Sequence, residues 1–285
     1  MKVGLIQHEA KVDVNINLDR TINAIKQLAN EGAEIICTQE LFRSQYFCYE
    51  ENLRHFDLAE SLRGETVDQL SQIAKEAGVV LIASLFEERT EGLYHNTAVV
   101  FDADGTVLGN YRKMHIPEDP GFNEKFYFAP GEEGYKVFDT RFGRIGVLIC
   151  WDQWYPEAAR LTALKGAEIL FYPTAIGWDE KASKSVNEEE LAAWQTIQRS
   201  HAIANGIPVV SVNRVGNENG TLFWGSSFVC NAFGRVLFEA PNTDESVSCV
   251  EIDASETKKY RRVWPFLRDR RIDSYSGIIK RMDDE

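Results

Sequence analysis

Apolar positions along the chain recur with two periods that alternate from one end to the other. Lys2-Val-Gly-Leu-Ile-Gln7 is a short apolar run that predicts a buried strand. From Asn15 to Glu31, Leu18, Ile22, Ile25 and Leu28 recur at three- and four-residue spacing, which predicts an amphipathic helix stopped by Gly32. Glu34 to Thr38 reads as a second strand ending at Gln39-Glu40, Thr66 to Ala77 as a helix closed by Gly78, and Val79 to Phe86 as a third strand. The rhythm returns later: strand Arg144–Cys150, helix Glu157–Lys165 closed by Gly166, strand Glu168–Tyr172, helix Glu188–Asn205, strand Pro208–Asn213. Strand–helix–strand order of this kind predicts parallel strands covered by helices.

Two segments depart from that rhythm. Thr97–Tyr111 is apolar on both sides of an Asp-Ala-Asp-Gly turn, and Ser227–Phe238 repeats the design around Asn-Ala-Phe-Gly. Both predict β-hairpins in which Gly105 and Gly234 take the positive φ of the turn. Hairpins added to strand–helix–strand units imply large mixed sheets, an α/β fold. No low-complexity linker or repeat divides residues 1–285, so one domain is expected, with a polar, Arg-rich tail from about residue 255.

Composition changes this picture little, except by exclusion. Of 285 residues, 44% are hydrophobic and 26% charged, enough apolar surface for a sizeable core. Acids outnumber bases 44 to 31, and the net charge of -13 disfavours nucleic acid and anionic membranes as partners. No stretch approaches the roughly 18 apolar residues of a membrane span, and the start resembles neither a secretory signal nor a transit peptide. The five cysteines (Cys37, Cys48, Cys150, Cys230, Cys249) are odd in number and widely spaced. That argues against a disulfide scaffold and for a reducing, cytoplasmic setting in which a cysteine acts as a thiol.

Candidate chemistry gathers at strand ends. Cys150 lies where an apolar strand meets a coming helix, and side chains at such ends project into the crevice where α/β proteins bind ligands. Helix-entry N–H groups there favour a thiolate. A core thiol fits the same position, and the residues alone leave both readings open. Glu40 ends the second strand, Lys113 follows the strand Val107–Tyr111, and Glu124 sits in the aromatic segment Phe122-Asn-Glu-Lys-Phe-Tyr-Phe128, where desolvation would raise its pKa. The five histidines lack metal-ligand spacing, and His115 is the one that could partner a nucleophilic cysteine. No serine elbow or phosphate loop is present.

Three separated motifs join these residues: Thr38-Gln-Glu40-Leu-Phe42, Tyr111-Arg-Lys113-Met-His-Ile-Pro117, and Gly146-Val-Leu-Ile-Cys150-Trp-Asp-Gln-Trp-Tyr-Pro-Glu-Ala-Ala-Arg160. In this order and spacing they resemble the nitrilase superfamily of carbon–nitrogen hydrolases, over residues 2 to about 275. The resemblance implies a four-layer α-β-β-α sandwich with two mixed sheets. It also implies Cys150 as nucleophile, Glu40 as general base, Lys113 with the Trp151 N–H as oxyanion holder, and Glu124 as a further acid orienting Lys113 or relaying protons. No cofactor or metal is implied; a homodimer or larger homo-oligomer is, with residues 255–285 in subunit contacts.

Within the superfamily, Glu40-Leu-Phe-x-x-x-Tyr46-Phe-Cys48, His115-Ile-Pro-Glu-Asp-Pro-Gly121 and Phe171-Tyr-Pro-Thr-Ala-Ile-Gly177 are most similar to the branch that hydrolyses N-carbamoylputrescine. The implied partner is a small cationic carbamoyl compound whose distal ammonium meets Asp179 or its neighbour Glu180. Trp178 and Tyr46 are expected to wall its aliphatic stem. Hydrolysis of carboxylate-bearing amides, as by β-ureidopropionases and ω-amidases, would call for a base where Asp179 stands. A non-catalytic binding member would have lost Glu40, Lys113 or Cys150.

Overall fold

The computed structural model describes residues 1–282. Its first half runs β1 (Lys2–Gln7), α1 (Val14–Asn30), β2 (Ile35–Thr38), α2 (Glu65–Ala77), β3 (Val80–Thr90), β4 (Leu93–Phe101) and β5 (Val107–Arg112). A single helical turn α3 (Glu124–Tyr127) then leads to β6 (Val137–Thr140), β7 (Gly143–Val147), α4 (Pro156–Leu164), β8 (Ile169–Pro173) and β9 (Gly177–Asp179). The remainder is α5 (Lys184–Asn205), β10 (Val209–Val212), β11 (Val215–Glu218), β12 (Thr221–Trp224), β13 (Phe228–Cys230), β14 (Val236–Glu239), β15 (Ser246–Glu251) and α6 (Ala254–Val263).

The strands form two six-stranded mixed sheets, ordered β15-β1-β2-β3-β4-β5 and β14-β13-β10-β8-β7-β6, and a small antiparallel sheet β11-β12-β9. Period-two alternation decides what each face meets. In the first sheet Val3, Leu5, Ile35, Cys37, Val80, Ile82, Ala98 and Val100 point into a core shared with Ile145, Val147, Ile169, Phe171 and Val209 of the second. The intervening residues Ile6, Ile36, Leu81, Ala83, Val99 and Phe101 face the opposite way, onto Leu18, Ile25 and Leu28 of α1 and Leu70 and Ile73 of α2. On the far side of the second sheet, Ala158, Ala159 and Ala163 of α4 and Trp194 and Ala202 of α5 are buried. The result is the expected α-β-β-α sandwich. Each buried Val, Leu, Ile or Phe among them contributes about 1.5–3 kcal/mol of transfer free energy, which is why the alternation is decisive for the layering.

Helix ends follow the local signals. Asp13 caps α1 by accepting the Asn15 N–H, and Gly78 closes α2 in the left-handed region at φ 67°. Both expected hairpins form, β4–β5 and β13–β14, with Gly105 at φ 87° and Gly234 at φ 75°.

Several local expectations are corrected. The ladder of β7 stops at Val147, and Cys150 opens a 3-10 turn over Cys150–Trp154 instead of ending a strand. Glu124, expected in a loop, begins the turn α3. Helix α5 starts at Lys184, four residues before Glu188, with Ser183 accepting the Val186 N–H as its cap. The tail opens with the polar helix α6, which has no buried residue. The sheet β11-β12-β9 was not foreseen: β9 is three residues long, too short for a period, and pairs only through distant β12, Gly177 opposite Phe223 and Asp179 opposite Thr221.

Candidate active site

The C-terminal ends of β2, β5 and β8 and the turn after β7 converge at one edge of the sandwich. Two residues past β2, the Glu40 N–H donates to the Thr174 carbonyl beyond β8 (3.3 Å), which ties the two sheets together here. Leu41 then takes φ 49°, and its N–H donates to Ser84 Oγ of β3 (3.1 Å). Lys113, the first residue after β5, donates its backbone N–H to the Asn96 carbonyl of β4 (2.9 Å).

Cys150 itself has φ 40°, a region that costs a non-glycine residue about 1–2 kcal/mol and persists only where neighbours enforce it. Asp152 is the enforcing residue. Its buried carboxylate accepts the Ile149 N–H (2.9 Å), the Tyr111 hydroxyl (2.7 Å) and the His115 N–H (3.0 Å), and pairs with His115 Nδ1 (2.7 Å). One carboxylate therefore fastens the Cys150 turn to the residues on either side of Lys113. His115, also stacked on Tyr155 at 3.7 Å between ring centroids, is engaged by Asp152 and not offered to Cys150 as a base.

The ammonium of Lys113 lies between two carboxylates, 2.8 Å from Glu40 Oε1 and 2.6 Å from Glu124 Oε2, and all three side chains are fully buried. Asn96 Nδ2 donates to the same Glu40 Oε1 (2.6 Å), and the Tyr46 hydroxyl donates to Glu124 Oε1 (2.9 Å). Glu40 Oε2 is buried and accepts no hydrogen bond among the described residues. The Cys150 thiol makes a long contact to the Ala175 carbonyl (3.6 Å).

The carbon–nitrogen hydrolase family profile matches residues 2–262 of this chain. The chain belongs to that family. An Arabidopsis thaliana protein named N-carbamoylputrescine amidase is 41% identical over 97% of this chain and 94% of its own length. A Francisella tularensis protein named citrullinase is 39% identical over 99% of both. The solved structure of a carbon–nitrogen hydrolase from Helicobacter pylori superposes with a TM-score of 0.96 at 48% identity, covering 99% of each chain. The protein is thus an amidohydrolase with the nitrilase-superfamily fold.

In this hydrolase, burial and charge pull the site's titrations in different directions. Burial pushes the Glu124 carboxyl up to about 7, against the lowering effect of Lys113 and with reinforcement from Glu40. Burial alone would lower the Lys113 pKa, but Glu124 and Glu40 reverse that and hold its ammonium well above the ordinary lysine range. Burial, then the Glu40 charge, drive the Cys150 thiol well above its usual value, with Lys113 only partly opposing. A thiolate would add negative charge to a pocket already carrying carboxylates, which favours the thiol form, so nucleophilic attack by Cys150 would call for a base.

A cavity of about 500 Å³ opens from this cluster. Cys150 and Glu124 lie at its buried end, Phe122, Trp151, Trp154 and Trp224 supply aromatic walls, and Asp119, Asp179 and Glu190 add three carboxylates towards solvent. Among its lining residues there is no Lys, Arg or His. Asp179 Oδ1 also accepts the Lys181 N–H (2.9 Å), which fixes the local turn.

Of the sequence candidates, Trp151, Asp179, Glu124 and Cys150 line the cavity, and Glu40 and Lys113 are bonded directly behind. Three others fall elsewhere. Tyr46 is not among the residues lining the cavity and backs Glu124 through its hydroxyl. Trp178 supports Trp224 from outside (5.5 Å between centroids) and donates Nε1–H to the Asn187 carbonyl (2.9 Å). Glu180 is exposed and bonds Asn217. Sequence reasoning missed Asn96, Asp119, Asp152, Glu190 and Trp224. Only Asp152 carried a readable signal, as an acid two residues beyond Cys150. Glu190 looks like one more residue of a solvated Glu188-Glu189-Glu190 helix face. Among the described residues, no group of three His, Cys, Asp or Glu side chains is arranged to hold a metal, and no helix is long and apolar enough to cross a membrane.

Proposed function

We propose that this amidohydrolase cleaves the ureido group of N-carbamoylputrescine, a short chain with a carbamoyl group at one end and an ammonium at the other. The observation that carries this reading is the polarity of the cavity: a thiol at its buried end and three carboxylates, with no base, towards its mouth. An aliphatic stem fits between Trp151, Trp154 and Trp224, and Asp119, Asp179 and Glu190 attract the distal ammonium. The name of the Arabidopsis relative supports the same substrate.

In the proposed reaction the Cys150 thiol proton passes to Glu40 Oε2, the oxygen free of other partners, as Sγ bonds to the ureido carbon. The negative oxygen of the tetrahedral intermediate is held by Lys113 Nζ and the Trp151 N–H. Glu40 returns the proton to the departing nitrogen, ammonia leaves, and a carbamoyl thioester remains on Cys150. Water, deprotonated by Glu40, cleaves that thioester; the thiol is restored and the released carbamate breaks down to putrescine and carbon dioxide. Glu124 fixes Lys113 throughout. Subunit contacts are proposed for the tail, where Val263, Trp264, Ile278 and Ile279 expose apolar side chains.

Ammonia release from N-carbamoylputrescine, citrulline, N-carbamoyl-β-alanine and glutaramate tests the reading, with Cys150→Ala as control. The expected outcome is highest kcat/KM for the cationic substrate and none in the control. A higher kcat/KM for citrulline, the substrate in the Francisella relative's name, would replace the substrate assignment, and activity in the control would overturn the nucleophile.

A further inference from the structure

We propose that Arg214, together with Glu218, is a positioning residue that holds the Glu40–Tyr46 segment and links both acids flanking Lys113 to the wall of the cavity. Arg214 is among the largest side chains with no solvent exposure, and its partner Glu218 is buried too. A buried ion pair of this kind is weak evidence for stability, because well-packed apolar side chains often serve as well or better. Its contacts give it another task.

Arg214 Nη2 donates to the carbonyls of Glu40 (2.8 Å) and Leu41 (3.0 Å), and Nη1 to the carbonyl of Ser44 (3.4 Å) and to Glu218 Oε2 (2.8 Å). Three carbonyls of one irregular segment thus converge on a single guanidinium, at the point where Leu41 holds a left-handed φ. The guanidinium also lies over the rings of Tyr46 (5.8 Å) and Phe223 (5.3 Å). Glu218 Oε2 takes the Tyr46 N–H at 2.6 Å, and the Tyr46 hydroxyl reaches Glu124. The pair therefore fixes Glu40 through its own backbone carbonyl and Glu124 through Tyr46.

Arg214 and Glu218 bracket β11, whose hairpin partner β12 carries Phe223 beside Tyr46 and Trp224 in the cavity wall, and β12 pairs with the strand that bears Asp179. The strands that contact a bound stem are thereby anchored to the segment that carries Glu40. A lysine could match the charge of Arg214 but not its fork, since one ammonium cannot serve the two sets of partners now divided between Nη1 and Nη2.

This inference rests on the reading of Glu40 as general base, and the experiment separates the two. Arg214→Lys and the charge-free double variant Arg214→Met/Glu218→Gln are compared with Glu40→Gln for kcat, KM and melting temperature. The double variant leaves no unpaired buried charge, and its melting temperature reports what the three carbonyls freed of Arg214 cost in stability. Both Arg214 variants are expected to lose about 100-fold in kcat with KM changed by less than about threefold, as misplacement of a reacting group by about 1 Å would cause. A purely structural role predicts that kcat per folded enzyme follows the melting temperature and recovers in Arg214→Lys. That recovery, or wild-type kcat in the double variant while Glu40→Gln is inactive, overturns the positioning role and leaves the base assignment standing. Wild-type kcat in Glu40→Gln overturns both.

Discussion

Two sets of carboxylates stand at the two ends of the cavity, one lining or backing its buried end and one near its mouth, and they differ in their access to water. Glu40 and Glu124 are fully buried on either side of Lys113, whereas Asp179 and Glu190 lie exposed towards the mouth. At 4 Å two unit charges interact by about 1 kcal/mol in water and about 4 kcal/mol at the effective dielectric of a protein site. Burial, reinforced by the inner set, therefore raises Cys150, and the inner set outweighs burial to hold Lys113 charged. In the proposed function the outer set attracts the substrate's cation and takes no part in the chemistry. Desolvation, not residue type, divides reaction from recognition here.

The largest expected effect comes from removing the proposed nucleophile. Cys150→Ala should lower kcat on the order of 10⁵-fold or more in the ammonia assay, as loss of a nucleophile does in other hydrolases. Residual turnover near wild type would move the chemistry away from the buried end.

Lys113→Met attacks the contrast itself by stripping both inner carboxylates of their cation. We expect activity to fall about 10²–10³-fold from loss of the oxyanion donor, and urea unfolding to report about 3–5 kcal/mol of destabilisation. An unchanged urea midpoint would mean that the inner acids carry no more electrostatic energy than the outer ones.

Glu124→Gln gives a signed test. The folded-state pKa of about 7 lies above the ordinary 4.5, so ionising Glu124 costs the folded protein. Its stabilising contribution is complete below about pH 4.5 and is lost as pH rises through about 7. Urea melts should therefore show the wild type losing more stability than Glu124→Gln between about pH 5 and about pH 8. Parallel curves would remove burial as the cause.

The smallest effects belong to the mouth. Asp179→Asn and Glu190→Gln should each raise KM for N-carbamoylputrescine by about 1.5- to fivefold with kcat unchanged, in line with the ~0.2–1 kcal/mol of exposed charge pairs, and added salt should erase the difference. A fall in kcat instead would place one of them among the reacting groups.

How much of this was legible differs by residue. The alternation of strands and helices was, but the four layers were expected only from the family resemblance, and the opposite faces taken by Val3 and Leu5 against Ile6 were read from the structure. The motif around Cys150 was also legible, yet its strand was read too long: apolar Leu148 and Ile149 continue the hydrophobic run after the ladder has ended. Tyr46 was assigned to the cavity wall because its motif names the residue and says nothing of which way it faces.

Sequence by itself determined the family, the two sheets with their covering helices, and the residue types available for the chemistry. These depend on local periodicity and on motifs whose members are close along the chain. Only the tertiary structure decided that Lys113 sits between Glu40 and Glu124, that Asp152 enforces the turn at Cys150, and that Arg214 gathers three carbonyls of the Glu40 segment. Those facts are distances between groups far apart in sequence, and burial multiplies their energies only after the chain has folded around them.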